Sequence, residues 1–223
     1  STSDIIIFRQ EEFFKVFTHE LLHNFGLDEP IWDYMKTINY NLEQKKIYNM
    51  FLNNFNYNKN IDLGLQECLV EFWGIFFNNV IYSYYIPIKK ETFQEYIKLF
   101  KRNMIYEITH SYLQSHKINN LSMNNHIIFN NHNHNHNHNH IYNEDSHLFS
   151  YYILKLFLLH NYKQFISSDV MKITQNKIIL NNNIEYLLEY LKNIYYDEEF
   201  KKIYDSFFKY YQIMKNNYKN KNK

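Results

Sequence analysis

The sequence contains very little glycine, proline or cysteine. Three Gly and two Pro among 223 residues provide few tight turns, which disfavours a sheet protein with many turns and favours long helices. The one cysteine, Cys68, excludes an internal disulfide and fits the cytoplasm or another reducing compartment. The first residues do not have the pattern expected of a signal peptide. Because the chain starts at Ser1 without a Met, we expect a fragment or a processed product whose upstream targeting information is missing.

An excess of charge of one sign is also absent. The formal net charge of +1 argues against nonspecific nucleic-acid binding, and only the tail 215–223 is clearly basic. A hydrophobic content of 45% with 19% aromatic residues excludes a disordered chain. We expect a folded protein without a nucleic-acid partner; the composition leaves its oligomeric state open.

Apolar residues recur at helical spacing through most of the chain, which predicts a mainly α fold with at most a short strand or small sheet near the N-terminus. The strand candidate is 4–8. We expect a region at 1–117 that holds the functional site, a low-complexity loop at 118–143, and a helical region at 144–223 that packs on the site in the same domain. The predicted helices are 10–25, 30–38, 41–56, 61–85, 90–117, 145–167, 183–196 and 198–217.

The loop contains an alternation of Asn and His at 131–140. Such an alternation cannot bury a core, so we interpret it as a flexible segment. Its histidines could bind surface metal weakly and buffer transition metals, or the tract is a repeat expanded by replication slippage.

The most informative pattern is H-E-x-x-H, formed by His19, Glu20 and His23. Residues four apart share a helix face, so the two imidazoles can bind one metal ion, and Glu20 lies about 100 degrees round the helix, within reach of a water on that ion. Two histidines beside a carboxylate suit Zn²⁺ that activates water. The apolar flanks predict a helix buried on most sides; they are Phe13, Phe14, Val16, Phe17, Leu21, Leu22 and Phe25.

A catalytic zinc needs a third protein ligand, and a second apolar helix offers one. Glu67 and Glu71 are four residues apart and share a face. We expect Glu67 to bind the metal and Glu71 to accept the free ring N–H of a ligand histidine. The long apolar run at 63–86 is interrupted by polar residues, which favours a buried site helix over a membrane span.

A different third ligand is possible just after the first helix. Gly26 has the spacing at which metzincins turn the chain, and Glu29 then occupies the ligand position, with Asp28 beside it. Gly26 is equally explained as a helix C-cap, since Pro30 prevents continuation.

Residues 8 to 80 resemble a gluzincin metallopeptidase, in which H-E-x-x-H lies on one helix and a glutamate from a later helix completes the site. The stretch 66–72 is similar to the second gluzincin motif, with Cys68 where glycine is usual, and both helices are similar to uncharacterised metallopeptidases of large DNA viruses. The resemblance implies that His19, His23 and Glu67 bind Zn²⁺. It also implies that Glu20 is the general base.

We therefore expect a zinc metallopeptidase acting on a protein or peptide substrate, with Glu20 as proton acceptor and donor. The alternative is a noncatalytic metal-binding or structural protein that retains the zinc helix. An oxyanion donor is left open among several candidates. They are Tyr82, Tyr84, Tyr85, His110, Tyr112, His147 and His160.

Overall fold

The computed structural model describes residues 13–55, 63–85, 92–121, 147–173, 178–180 and 183–221. It is mainly helical, which confirms the predicted fold class. The elements are α1 (Phe13–Asn24), α2 (Glu29–Thr37), α3 (Leu42–Asn54), α4 (Leu65–Tyr85), α5 (Phe93–Leu121), a π-helix (Phe149–Leu154), α6 (Lys155–His160), α7 (Tyr162–Ile166), β1 (Met171–Ile173), β2 (Ile178–Leu180), α8 (Glu185–Tyr196) and α9 (Glu198–Lys221).

The central element is α4. It contacts α1, α2, α5, the π-helix and α6. Phe72 and Trp73 near its middle are almost completely buried, as expected for a helix that is apolar on nearly every side. Of its two acidic residues, Glu71 is buried and Glu67 is half-buried, so both require partners.

Helix α1 runs antiparallel to α4, as their side-chain contacts show. Lys15 and His19 both contact Glu71, whereas His23, one turn later in α1, contacts Glu67, one turn earlier in α4. The backbone of α1 approaches α4 closely at Gly74. A Cβ at that position would lie 3.6 Å from the carbonyl oxygen of Lys15. The face of α1 that carries the two histidines thus lies against the face of α4 that carries the two glutamates.

The expectation that α1 is buried on most sides was wrong. Phe13, Phe14 and Phe17 are exposed, whereas His19 is buried. The helix therefore buries one face, and that face carries the histidines rather than most of the phenylalanines.

A single apolar core joins the predicted regions 1–117 and 144–223. The rings of Phe55 and Phe149 lie 5.2 Å apart, and those of Phe72 and Phe165 lie 4.8 Å apart. All four rings belong to the same buried cluster, so the late helices pack directly on the early ones.

Among the described residues, the structure differs from the sequence prediction in the ends of α5 and α9, in the division of the predicted helix 145–167, and in a pair of strands. Helix α5 continues to Leu121, four residues past its predicted end, because Ile118 is still buried; residues 118–121 are helical rather than loop. The antiparallel pair β1–β2, with Met171 opposite Leu180, was not predicted. The strand candidate at 4–8 and the tract at 131–140 lie outside the described residues.

In the parts of the chain that the structure describes, none of the helices combines the length and the apolar character that crossing a membrane requires.

Candidate metal centre

The end of α1 determines where His23 and the following residues lie. Gly26 adopts a φ of +70° and closes the helix with two backbone bonds, from Gly26 N to His23 O (2.9 Å) and from Leu27 N to Leu22 O (3.1 Å). This pairing is the Schellman motif, for which glycine is preferred because other residues are strained at positive φ. The predicted C-cap is therefore observed, and the turn brings Asp28 back beside His23.

Three side chains from α1 and α4 converge on one point. Nε2 of His19 and Nε2 of His23 lie 3.2 Å apart, and Oε2 of Glu67 lies 3.5 Å from the first and 3.7 Å from the second. Among the described residues they form the one group of three or more His, Cys, Asp or Glu side chains that could hold a metal ion.

The triangle fits a zinc ion. Tetrahedral zinc with bonds of about 2.0–2.1 Å separates its ligand atoms by about 3.3–3.4 Å, close to the three distances observed. The side chain of His19 is 11% exposed, and those of Glu67 and His23 are 17% and 25% exposed, so the group is partly accessible to solvent. The donor set thus suits a metal that keeps an open position for water.

His23 is oriented by a carboxylate that the sequence analysis considered only as an alternative ligand. Nδ1 of His23 lies 2.8 Å from Oδ2 of Asp28, and the indole N–H of Trp32 donates to the same oxygen at 2.8 Å. Asp28 is buried. Its carboxylate therefore lies behind the imidazole, where it fixes the ring and directs Nε2 towards His19 and Glu67.

His19 has a comparable neighbour in Glu71. Nδ1 of His19 lies 3.3 Å from Oε2 of Glu71, as an ion pair rather than an aligned hydrogen bond. The other oxygen of Glu71 lies 2.6 Å from Nζ of Lys15 and 3.6 Å from Nζ of Lys155. The predicted position of Glu71 beside a histidine is thus observed, together with two lysines that the prediction did not include.

The third side chain, Glu67, is held by a residue from the C-terminal region. The phenol of Tyr151 donates a hydrogen bond of 2.7 Å to Oε2 of Glu67. The ring of Tyr151 also lies nearly parallel to that of His19, with 6.4 Å between the centroids. Burial, followed by the Glu67 carboxylate, raises the pKa of Tyr151, so the phenol remains a donor.

The surrounding carboxylates favour positive charge at this point. Burial lowers the pKa of both histidines, but Glu67 and Glu71 raise that of His19 to about 9, and Asp28 and Glu67 raise that of His23 to about 10. Burial raises the pKa of Glu67, but its bonds with His19, His23 and Tyr151 outweigh this and lower it. The group therefore stabilises a cation, whether protons or a metal ion.

Glu20 lies beside the group but is not part of the triangle. It is half-buried, and its charge contributes to the raised pKa of Tyr151. Among the described residues no hydrogen bond or ion pair of its carboxylate is found. A partly buried carboxylate next to a candidate metal site can serve as a proton acceptor.

Glu29, the ligand that a metzincin arrangement would require, lies elsewhere. It is exposed at the start of α2, and its side chain lies over Gly26. It does not belong to the group of His19, His23 and Glu67.

Among the described residues, the oxyanion candidates named from sequence make no hydrogen bond, ion pair or ring contact with the triangle. Tyr112 and His160 hydrogen-bond to each other at 2.7 Å, and His110 bonds to Gln114 at 3.0 Å on an exposed face. Tyr82, Tyr84 and Tyr85 are exposed at the end of α4. The tyrosine that does reach the site is Tyr151, which the sequence analysis did not select.

Lys15 could have been found from sequence, because it lies four residues before His19 on the same helix face. Tyr151 could not, since it is 84 residues from Glu67 and no local pattern distinguishes it from the other tyrosines.

Comparison with known proteins adds no family to this geometry: no protein-family model, curated protein or solved structure matches the chain.

Proposed function

We propose that the protein is a zinc-dependent metallopeptidase that hydrolyses peptide bonds. The observation that carries this proposal is the triangle of His19 Nε2, His23 Nε2 and Glu67 Oε2, with sides of 3.2, 3.5 and 3.7 Å. Two imidazoles and one carboxylate are one of the ligand sets of catalytic zinc, whereas structural zinc sites have four protein ligands, usually cysteine and histidine.

The orientation of the two imidazoles supports the binding of one metal ion. Each Nδ1 faces a carboxylate, that of Asp28 for His23 and that of Glu71 for His19. A neutral ring with its proton on Nδ1 has a free lone pair on Nε2, and both of these lone pairs point at the same place. The two Nε2 atoms lie 3.2 Å apart, so both rings can bind one ion; without an ion, one ring can donate a hydrogen bond to the other.

Each residue of the site has a distinct role in the proposed reaction. A zinc ion bound by His19, His23 and Glu67 would lower the pKa of a water molecule and polarise the peptide carbonyl. Glu20 takes the proton of the attacking water on its carboxylate and delivers it to the leaving nitrogen. Asp28 and Glu71 keep both imidazoles in the orientation that exposes Nε2.

The test replaces the proposed base while leaving the metal ligands intact. Glu20→Gln is expected to bind as much zinc as the parent protein but to cleave a peptide library about 100–10,000-fold more slowly, the usual contribution of a general base. The matched control is Glu29→Gln, an exposed residue outside the group, which should keep full activity.

Equal cleavage by Glu20→Gln and the parent would show that Glu20 is not the base. If the parent binds zinc but cleaves nothing in a broad library, the noncatalytic metal-binding alternative is favoured instead.

A further inference from the structure

Tyr151 touches the candidate metal centre from a part of the chain remote from both site helices. Its phenol donates to Oε2 of Glu67, the oxygen that also lies nearest His19 and His23. A carboxylate oxygen has two lone pairs, so Oε2 can accept this hydrogen bond and still face the point between the imidazoles. No sequence motif accounts for this contact.

The backbone around Tyr151 is built against the start of α4. The hydroxyl of Ser150 donates to the carbonyl oxygen of Leu63. His147 adopts a φ of +53° and lies directly over Gly64, where a Cβ would be 2.5 Å from its Nδ1. Only a residue without a side chain fits at that position, and Gly64 also has a positive φ of +63°.

The helix that carries Tyr151 is a π-helix, a rare wide turn that often occurs at functional sites. Its wider turn changes which residues face α4 compared with a regular α-helix. In this segment the hydroxyls of Ser150 and Tyr151 bond to Leu63 and Glu67, and the ring of the neighbouring Tyr152 lies 5.4 Å from Nζ of Lys155.

We propose that Tyr151 is a positioning residue that makes Glu67 bind the metal through one oxygen, Oε2. This inference rests on the proposed function. The phenol holds the carboxylate against rotation about its last bond, so that the second oxygen does not take up the coordination position intended for water. The π-helix is thereby part of the metal centre, although it supplies no ligand.

The experiment compares Tyr151→Phe with Tyr152→Phe in the full chain. Each removes one hydroxyl and keeps the ring, but only the first removes a hydrogen bond to Glu67. Zinc affinity is measured by competition with a chelator, and coordination is followed by the visible absorption of the cobalt(II) form. Tyr151→Phe is expected to bind zinc about 10–100-fold more weakly, the usual effect of losing a group that orients a ligand.

The cobalt form of Tyr151→Phe should also absorb more weakly than that of the parent, since a carboxylate that binds through both oxygens raises the coordination number. Tyr152→Phe should match the parent in both measurements. Unchanged affinity together with an unchanged spectrum in Tyr151→Phe would overturn this proposal alone.

The parent protein provides a second measurement if Tyr151→Phe does not fold. Its cobalt spectrum should be that of a four-coordinate ion, and a five-coordinate spectrum would contradict one-oxygen binding. If the parent binds neither zinc nor cobalt, the proposed function fails and this inference fails with it.

Discussion

At the scale of single residues, Glu71 shows how a charge is accommodated inside this protein. The residue is 7% exposed, and an unpaired carboxylate so deeply buried would cost several kcal/mol. Lys15, Lys155 and His19 surround it, and although burial raises its pKa, His19 and the two lysines outweigh this and lower it. The carboxylate is therefore charged, and it can hold His19 in place.

Lys155 is the most buried of these partners, and its replacement tests the cluster. Lys155→Met keeps the side-chain volume but leaves Glu71 with Lys15 and His19 alone. We expect the free energy of unfolding, measured in urea, to fall by about 1–3 kcal/mol, less than the full cost of an unpaired buried charge because Lys15 remains 2.6 Å away.

The control is Lys192→Met, which removes an exposed ion pair with Glu189. Such pairs contribute about 0–1 kcal/mol, so this variant should remain close to the parent. A loss no larger for Lys155→Met than for Lys192→Met would show that the buried lysine does not support Glu71.

At the scale of secondary-structure elements, the turn between α1 and α2 links the fold to the site. It ends the histidine helix at Gly26 and returns Asp28 to Nδ1 of His23. The local sequence encodes both functions within six residues, 23–28. This turn therefore both ends α1 and positions the carboxylate that orients His23.

Gly26→Ala is expected to destabilise the protein by about 1–2 kcal/mol, because a residue with a Cβ is strained at a φ of +70°. The new methyl would also displace the side chain of Glu29, whose Cδ would lie 2.6 Å away. Zinc affinity should fall with stability, since the turn positions Asp28. Urea unfolding and chelator competition measure the two effects.

Gly74→Ala is the matched control for that substitution. Gly74 is helical, and a Cβ there would make only ordinary contacts at 3.6 Å, so the variant should remain within about 1 kcal/mol of the parent. Equal stability of both variants would contradict the importance of the positive φ at Gly26.

Helix positions were predictable from sequence because most of the helices bury an apolar face whose residues recur every three or four positions. The predicted 30–38, 41–56 and 183–196 correspond to α2, α3 and α8 within one or two residues at each end. The predicted 145–167 was less accurate, since the structure divides it into the π-helix, α6 and α7. A π-turn is stabilised by tertiary contacts, such as Ser150 with Leu63, that periodicity does not reveal.

At the scale of the whole molecule, the candidate site is assembled from three distant segments. The spacing of His19 and His23 and that of Glu67 and Glu71 could be recognised locally, since each pair lies on one helix. That the two pairs meet depends on α1 packing antiparallel on α4, and the contribution of Tyr151 depends on the C-terminal half of the core. Sequence patterns therefore predicted the three side chains of the triangle and the position of Glu71, but not the contribution of Lys15, Lys155 or Tyr151.

The most direct measurement of the central claim is the zinc content per chain of the parent, Glu67→Ala and Glu29→Ala proteins after dialysis. We predict one tightly bound zinc in the parent and in Glu29→Ala, and loss of that zinc in Glu67→Ala. Retention of zinc by Glu67→Ala together with its loss from Glu29→Ala would exclude Glu67 as the third ligand and favour a ligand from the turn after α1.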